Sequence, residues 1–80
     1  MQMAKQKVQE TETHRFFCTR CGEEGMPLMR KVGQKRETAH LKALYCINCS
    51  MITNHCEISP MGNYQEEDFL KDYHQGKWSK

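Results

Sequence analysis

No window of the chain holds the run of about 20 apolar residues that a membrane-crossing helix needs. Nor does the N-terminal stretch Met-Gln-Met-Ala-Lys-Gln-Lys-Val carry the apolar segment of an export signal. The first absence excludes a helical membrane protein. The second leads to the expectation of a cytoplasmic chain with reduced thiols. Apolar residues are also scarce for a chain that must fold, at 38% of 80 residues with a single tryptophan. A core of this size contributes only about 3–5 kcal/mol of net stability, so an additional cross-link is expected. Internal repeats beyond two short cysteine pairs are lacking, as are low-complexity tracts.

Cysteine is what the chain has in excess, with five residues. Four of them form two pairs, Cys18-Thr-Arg-Cys21 and Cys46-Ile-Asn-Cys49, separated by 24 residues. A Cys-x-x-Cys turn points two sulfurs the same way, and two such turns supply the four soft ligands of a tetrahedral metal site. Each pair follows an aromatic residue, Phe17 or Tyr45; Gly22 follows the first and Ser50 the second. Glycine at that position can take positive φ and turn a backbone amide toward a thiolate. Two competing readings are a redox dithiol and a pair of structural disulfides. The first lacks a βαβ setting and the second an export signal. The expected cofactor is therefore one structural Zn²⁺ held by Cys18, Cys21, Cys46 and Cys49, with a closed shell that leaves no catalytic position. The fifth thiol, Cys56, reads as a small buried hydrophobe on a strand, and His40 and His55 as exposed polar residues on strand faces.

The pattern along the chain places these turns in a small antiparallel β structure. Residues 1–13 are polar and read as a flexible arm. Residues 14–59 read as the metal-stabilised unit, and residues 60–80 as a C-terminal helix and tail. His14 to Cys18 is an expected strand. Residues 26–32 and 38–45 flank Gly33-Gln-Lys-Arg36 and are expected to pair as a β-hairpin. In its second arm Ala39, Leu41, Ala43 and Tyr45 share the apolar face, with His40 and Lys42 opposite. Residues 52–59 give a last strand, ended by Pro60 and Gly62. Asn63 with Glu66 resembles a capping box, and a helix is expected from about Tyr64 to Gln75 with Phe69, Leu70 and Tyr73 on its apolar side. Gly76 is placed to end it.

Phe17-Cys-Thr-Arg-Cys-Gly22 and Tyr45-Cys-Ile-Asn-Cys-Ser50 around a hairpin resemble the zinc-ribbon family. That resemblance covers residues 14–59 and implies the fold and the metal, while saying little about activity. The run Arg36-Glu-Thr-Ala-His-Leu-Lys-Ala-Leu-Tyr-Cys46, with Asn54-His-Cys-Glu-Ile58, is also similar to short ribbon proteins of bacteriophages. This second resemblance implies an accessory protein acting in a host cytoplasm.

Charge is uneven beneath a formal net of +2. Residues 14–45 carry a net +4, and residues 46–80 a net −2. A basic stretch of this kind suits an anionic partner. The expected function is nucleic-acid binding, to DNA or RNA, through a basic hairpin tip formed by Arg30, Lys31, Lys35 and Arg36, joined by Lys42 and Arg20. The alternative is a protein-interaction module in which Phe69, Leu70 and Tyr73 dock on a host protein. No enzymatic activity is expected. A metal-dependent nuclease would have to draw on His40, Asn54, His55 and Glu57, which show no recognisable ligand spacing. Oligomeric state is left open, although edge strands of so small a sheet offer a route to pairing.

Overall fold

Thr11 to Cys18 reads Thr-Glu-Thr-His-Arg-Phe-Phe-Cys, with β-branched and aromatic residues and no glycine or proline, and it forms one uninterrupted strand, β1 (Thr11–Cys18). The structure is a computed structural model and describes residues 10–32 and 38–78. β2 (Leu28–Lys31), β3 (Leu41–Cys46), β4 (Met51–Ile58) and the helix α1 (Glu66–His74) follow. The strands form one antiparallel sheet in the order β2-β1-β4-β3. A small antiparallel sheet followed by a short helix is what the sequence leads one to expect. β1, however, starts three residues before the expected His14, and residues 1–9 of the expected arm lie outside the described residues.

The expected hairpin between residues 26–32 and 38–45 does not form. β2 and β3 lie at opposite edges of the sheet, β2 on β1 and β3 on β4. β1 is long enough to serve two neighbours, since Thr11 to His14 pair with β2 while Arg15 to Cys18 pair with β4. The central places go to the two strands that bury residues on both faces: Phe16 and Phe17 on β1, and His55 to Ile58 on β4. Both hairpins are instead closed by the cysteine turns, β1 to β2 through residues 19–27 and β3 to β4 through residues 47–50. The segment Gly33 to Arg36, expected as the hairpin turn, lies outside the described residues.

The alternation expected for β3 is present but inverted. Leu41, Ala43 and Tyr45 are exposed, whereas Lys42 and Leu44 are half-buried and Cys46 is buried. Cys46 has to face its sister cysteines, and the two-residue period then carries Leu44 and Lys42 to the same side. His55, expected on an exposed face, is completely buried for a similar reason: β4 is central and covered on both sides.

On one face Phe17, Cys56 and Ile58 meet Phe69 of α1, with Leu70, Tyr73, Tyr64 and Trp78 packed around them. Phe69 lies 5.2 Å from Phe17 and 5.1 Å from Trp78, measured between ring centroids. Cys56 is fully buried there, as expected of a small hydrophobe. The helix begins two residues later than expected, and Gln65 rather than Asn63 caps it. The Gln65 N–H donates to the Asp68 carboxylate at 2.8 Å, and the Gln65 amide ties down the carbonyls of Ser59 and Gly62. Glu66, Glu67 and Asp68 occupy the first turn, where they complement the helix dipole. At the other end Gly76 takes φ 80 and its N–H donates to the Tyr73 carbonyl, terminating the helix as expected. Among the described residues no helix is long and apolar enough to cross a membrane.

The opposite face carries a buried polar network. Glu57 accepts from His14 and from Arg30, whose Nε and Nη2 lie 3.1 and 3.2 Å from its two oxygens. The other ring nitrogen of His14 meets Glu12 at 2.7 Å. Burial alone would raise the Glu57 carboxyl, but the hydrogen bonds and charges of His14 and Arg30 outweigh it and hold the group below its ordinary value of 4.5. A depressed folded value makes the ionised carboxylate stabilising above about pH 4.5, and that contribution is lost as pH falls through the lower folded value. Glu57→Gln is therefore expected to melt well below the wild type at pH 7, by about 3 kcal/mol. The gap should shrink between pH 5 and 3. Thermal melts of both proteins at matched pH check this, because any loss of metal in acid affects the two alike.

Candidate metal centre

Each cysteine pair sits where a strand ends and the chain must reverse. After β1 the Gly22 N–H donates to the Cys18 carbonyl at 2.8 Å, and after β3 the Ser50 N–H donates to the Cys46 carbonyl at 2.7 Å. Gly22 and Ser50 occupy equivalent places and take the same left-handed conformation, with φ 81 and φ 58. The two turns are thus one piece of backbone used twice, with serine paying a steric cost that glycine avoids. In both, amides point at the leading sulfur: Arg20 and Cys21 N–H at Cys18 Sγ, and Cys49 N–H at Cys46 Sγ.

The pairing of β1 with β4, and of β4 with β3, brings the two turns to the same end of the sheet. All four sulfurs fall within 4.8 Å of one another, with Cys18 to Cys49 at 3.9 Å and Cys21 to Cys46 at 3.7 Å. A tetrahedron of thiolates about 2.3 Å from a central ion has edges near 3.8 Å, so the donors fit a metal ion as they stand. The separations are also far too long for disulfides, and all five cysteines are free thiols. Cys18 and Cys46 are buried, while Cys21 and Cys49 are partly open to solvent.

The thiols differ in how readily they ionise. Burial works to raise Cys18, but the Thr53 hydroxyl at 3.0 Å and the backbone amides of Cys21 and Arg20 bring it down to about 7. Cys49 is pushed up to about 12, first by desolvation and then by the neighbouring sulfurs of Cys21, Cys46 and Cys18. One thiolate forms easily and the next ones are opposed by it. A cation among the four removes that opposition.

Two contributors were not singled out from the sequence. Thr53 lies across from Leu44 on the face that carries Cys46, and strand parity from the cysteine would have found it. Tyr73 was assigned to the helix's apolar side, yet its ring lies over Gly22: a methyl there would come within 3.0 Å of it. Its hydroxyl donates to the Arg20 carbonyl at 3.3 Å, tying α1 to the first turn.

Among the described residues, those expected to meet nucleic acid are not gathered into one surface. Arg30 is engaged with Glu57 and lies 5.8 Å over the Phe16 ring, so it is not presented to a partner. Lys31 on β2 and Lys42 on β3 stand at opposite edges of the sheet and level with opposite ends of β1, since Lys31 pairs with Thr11 whereas Lys42 pairs with His55, the partner of Cys18. Arg20 is exposed in the first turn, and Lys35 and Arg36 lie outside the described residues. Of the residues expected to dock a partner, Phe69 is fully buried in the chain's own core, and Leu70 and Tyr73 pack against that core. His40, Asn54, His55 and Glu57 do not converge either: Glu57 faces His14 and Arg30, while the His55 ring donates from Nδ1 to the Thr53 carbonyl and turns Nε2 toward Gly25. The cysteines are the one metal-competent cluster among the described residues.

Beside the second turn runs a groove of about 670 Å³ that the sequence did not announce. Met26, Pro27 and Leu28 form one wall, and Leu44, Tyr45 and Ile47 the other, with Glu23 and Glu24 at the rim. Glu24 is neutralised by a two-pronged contact with Arg15, which also reaches Glu66 of α1 at 3.0 Å.

Metal removal is expected to unfold the chain, because binding at four cysteines is worth about 10–16 kcal/mol, several times the contribution of the core. Collapse of amide NMR dispersion on chelation, and its recovery on adding metal, checks this. Ser50→Gly is expected to raise stability by about 1 kcal/mol by relieving the left-handed strain. Gly22→Ala should cost more than that, because the methyl meets Tyr73 as well. Thermal melts of the two metal-loaded variants measure both signs.

No protein-family model, no curated protein and no solved structure matches this chain, so the assignment of a metal centre rests on the four sulfurs and the turns that carry them.

Proposed function

We propose that the chain is a zinc-stabilised protein-interaction module: a zinc ribbon whose single structural Zn²⁺ sets the two hairpins, and whose groove beside the second turn receives an apolar segment of a partner protein. The metal is read as zinc because an all-thiolate tetrahedral set suits Zn²⁺, and four protein ligands close its shell against catalysis.

The observation that carries the partner class is the apolar surface around the metal end. Ile47 is 82% exposed at the tip of the second turn, and Met26 is 70% exposed on the facing wall. Tyr45 and Ile52, opposite each other on β3 and β4, are 60% and 67% exposed. Contiguous exposed apolar surface of this kind marks interaction sites, and methionine lends such surfaces the pliancy to fit a peptide. Glu23 at the rim favours a partner segment flanked by a basic residue. Nucleic-acid binding has less to draw on, since Arg30 is held by Glu57 and the remaining described cations are dispersed.

In-cell photo-crosslinking separates the two readings. A photo-reactive residue installed at Ile47 is expected to give a discrete protein adduct that Met26→Glu abolishes while zinc content stays at one per chain. Crosslinks to DNA or RNA from the same residue installed at Arg20, with no protein adduct from Ile47, would replace this reading with the nucleic-acid one.

A further inference from the structure

The two edges of the sheet are unlike. β2 is four residues long, follows Pro27 and carries Arg30 and Lys31, features that discourage a further strand from adding. β3 is longer, and its one charged residue, Lys42, is half-buried on the metal face. Hydrogen-bond parity decides what the open edge presents. The Glu57 N–H donates to the His40 carbonyl, so His40, Lys42, Leu44 and Cys46 turn their backbone groups toward β4. Leu41, Ala43 and Tyr45 therefore direct three N–H and three C=O groups away from the sheet, and their side chains are the exposed ones.

That row is self-complementary. An antiparallel copy centred on Ala43 sets Leu41 against Tyr45 of the partner and Ala43 against Ala43, pairing all six outward-directed backbone groups. The small central side chain lets the strands approach, and Tyr45 with its neighbour Ile52 covers the Leu41 of the other copy. On the metal face the same register places Lys42 against Leu44 of the partner, so the two lysines do not oppose each other. From these features we infer that the chain forms a two-fold symmetric homodimer through β3, joining two four-stranded sheets into one of eight strands. The contact covers three side chains, Ile52 and one strand of backbone per copy. This is less than the ~800 Å² per partner of a standard interface, so the dimer is expected to be weak and reversible. Pairing leaves the walls formed by Met26, Pro27 and Leu28 open and sets the two grooves on one continuous face. Tyr45 belongs to both the groove and this contact, whereas Met26 and Ile47 line the groove without entering the strand pairing, so substitutions there test the groove's occupant separately from the dimer.

Sedimentation velocity of the zinc-loaded full chain from about 1 to 200 µM tests this. A reversible monomer–dimer equilibrium is expected. Ala43→Pro removes an N–H that points away from β4, and should weaken dimerisation at least tenfold without loss of zinc. Tyr45→Lys, at an exposed side chain, should do the same if proline disturbs the strand. Hydrogen exchange gives an independent reading: protection of the Leu41, Ala43 and Tyr45 amides should rise with concentration, while that of Lys42 and Leu44 stays constant. A chain that remains monomeric throughout, or a dimer indifferent to both substitutions, overturns the proposal.

Discussion

Four thiols within 4.8 Å of one another are the constraint around which the rest of the chain is arranged. Their ionised forms repel, while the Thr53 hydroxyl and backbone amides favour the Cys18 thiolate, and desolvation first, then the neighbouring sulfurs, oppose ionisation of Cys49. A cation resolves the conflict and so couples the thiols' chemistry to the fold. Everything near the cluster is fitted to it. The turns are repeated, the amides point at sulfur, Thr53 stands beside Cys18, and Tyr73 closes over the first turn. The helix, through Tyr73 and Phe69, is thereby fastened both to the metal end and to the apolar face of the sheet.

Away from the cysteines, the sheet is held in two chemically different ways. One face is apolar and packed by α1. The other buries Glu57, His14 and Arg30 as a mutually satisfied set spanning β1, β2 and β4. Such a network is worth little against an apolar replacement, but it tolerates few partners, so it fixes register. Glu12 and His14 are both on β1, Glu57 reaches His14 from β4, and Arg30 reaches Glu57 from β2, so the set ties together three strands.

The clustering of four cysteines could be read from spacing alone, because two Cys-x-x-Cys turns have few other uses in one short chain. The β content and the helix were legible from alternation and from Gly76. Strand pairing was not. A turn-like Gly33-Gln-Lys-Arg36 between two periodic runs looks like a hairpin, and nothing local reveals that β1 and β4 bury both faces and so take the centre. The inversion of β3 followed from weighting Leu41 and Tyr45 as apolar when Cys46, two residues out of phase with them, had already fixed the strand's inward side. His55 was misplaced for the same reason, since a polar residue on a central strand looks like surface until its cover is known. Arg30 was counted as a free cation because its carboxylate lies 27 positions away in sequence.

The placement of the cysteine turns also bears on how fast the chain can fold. Each turn closes a hairpin between near neighbours in sequence, which forms locally at small entropic expense. The pairing of β1 with β4, by contrast, joins residues some 40 positions apart, the kind of contact that slows folding. An ion already held by one turn that captures the other closes the 24-residue loop between Cys21 and Cys46, an ordering step of about 3 kcal/mol that β1 and β4 then need not meet by themselves. With an ion bound, the cysteine end would act as a nucleus as well as an anchor, favouring an order from the turns toward the far end of the sheet.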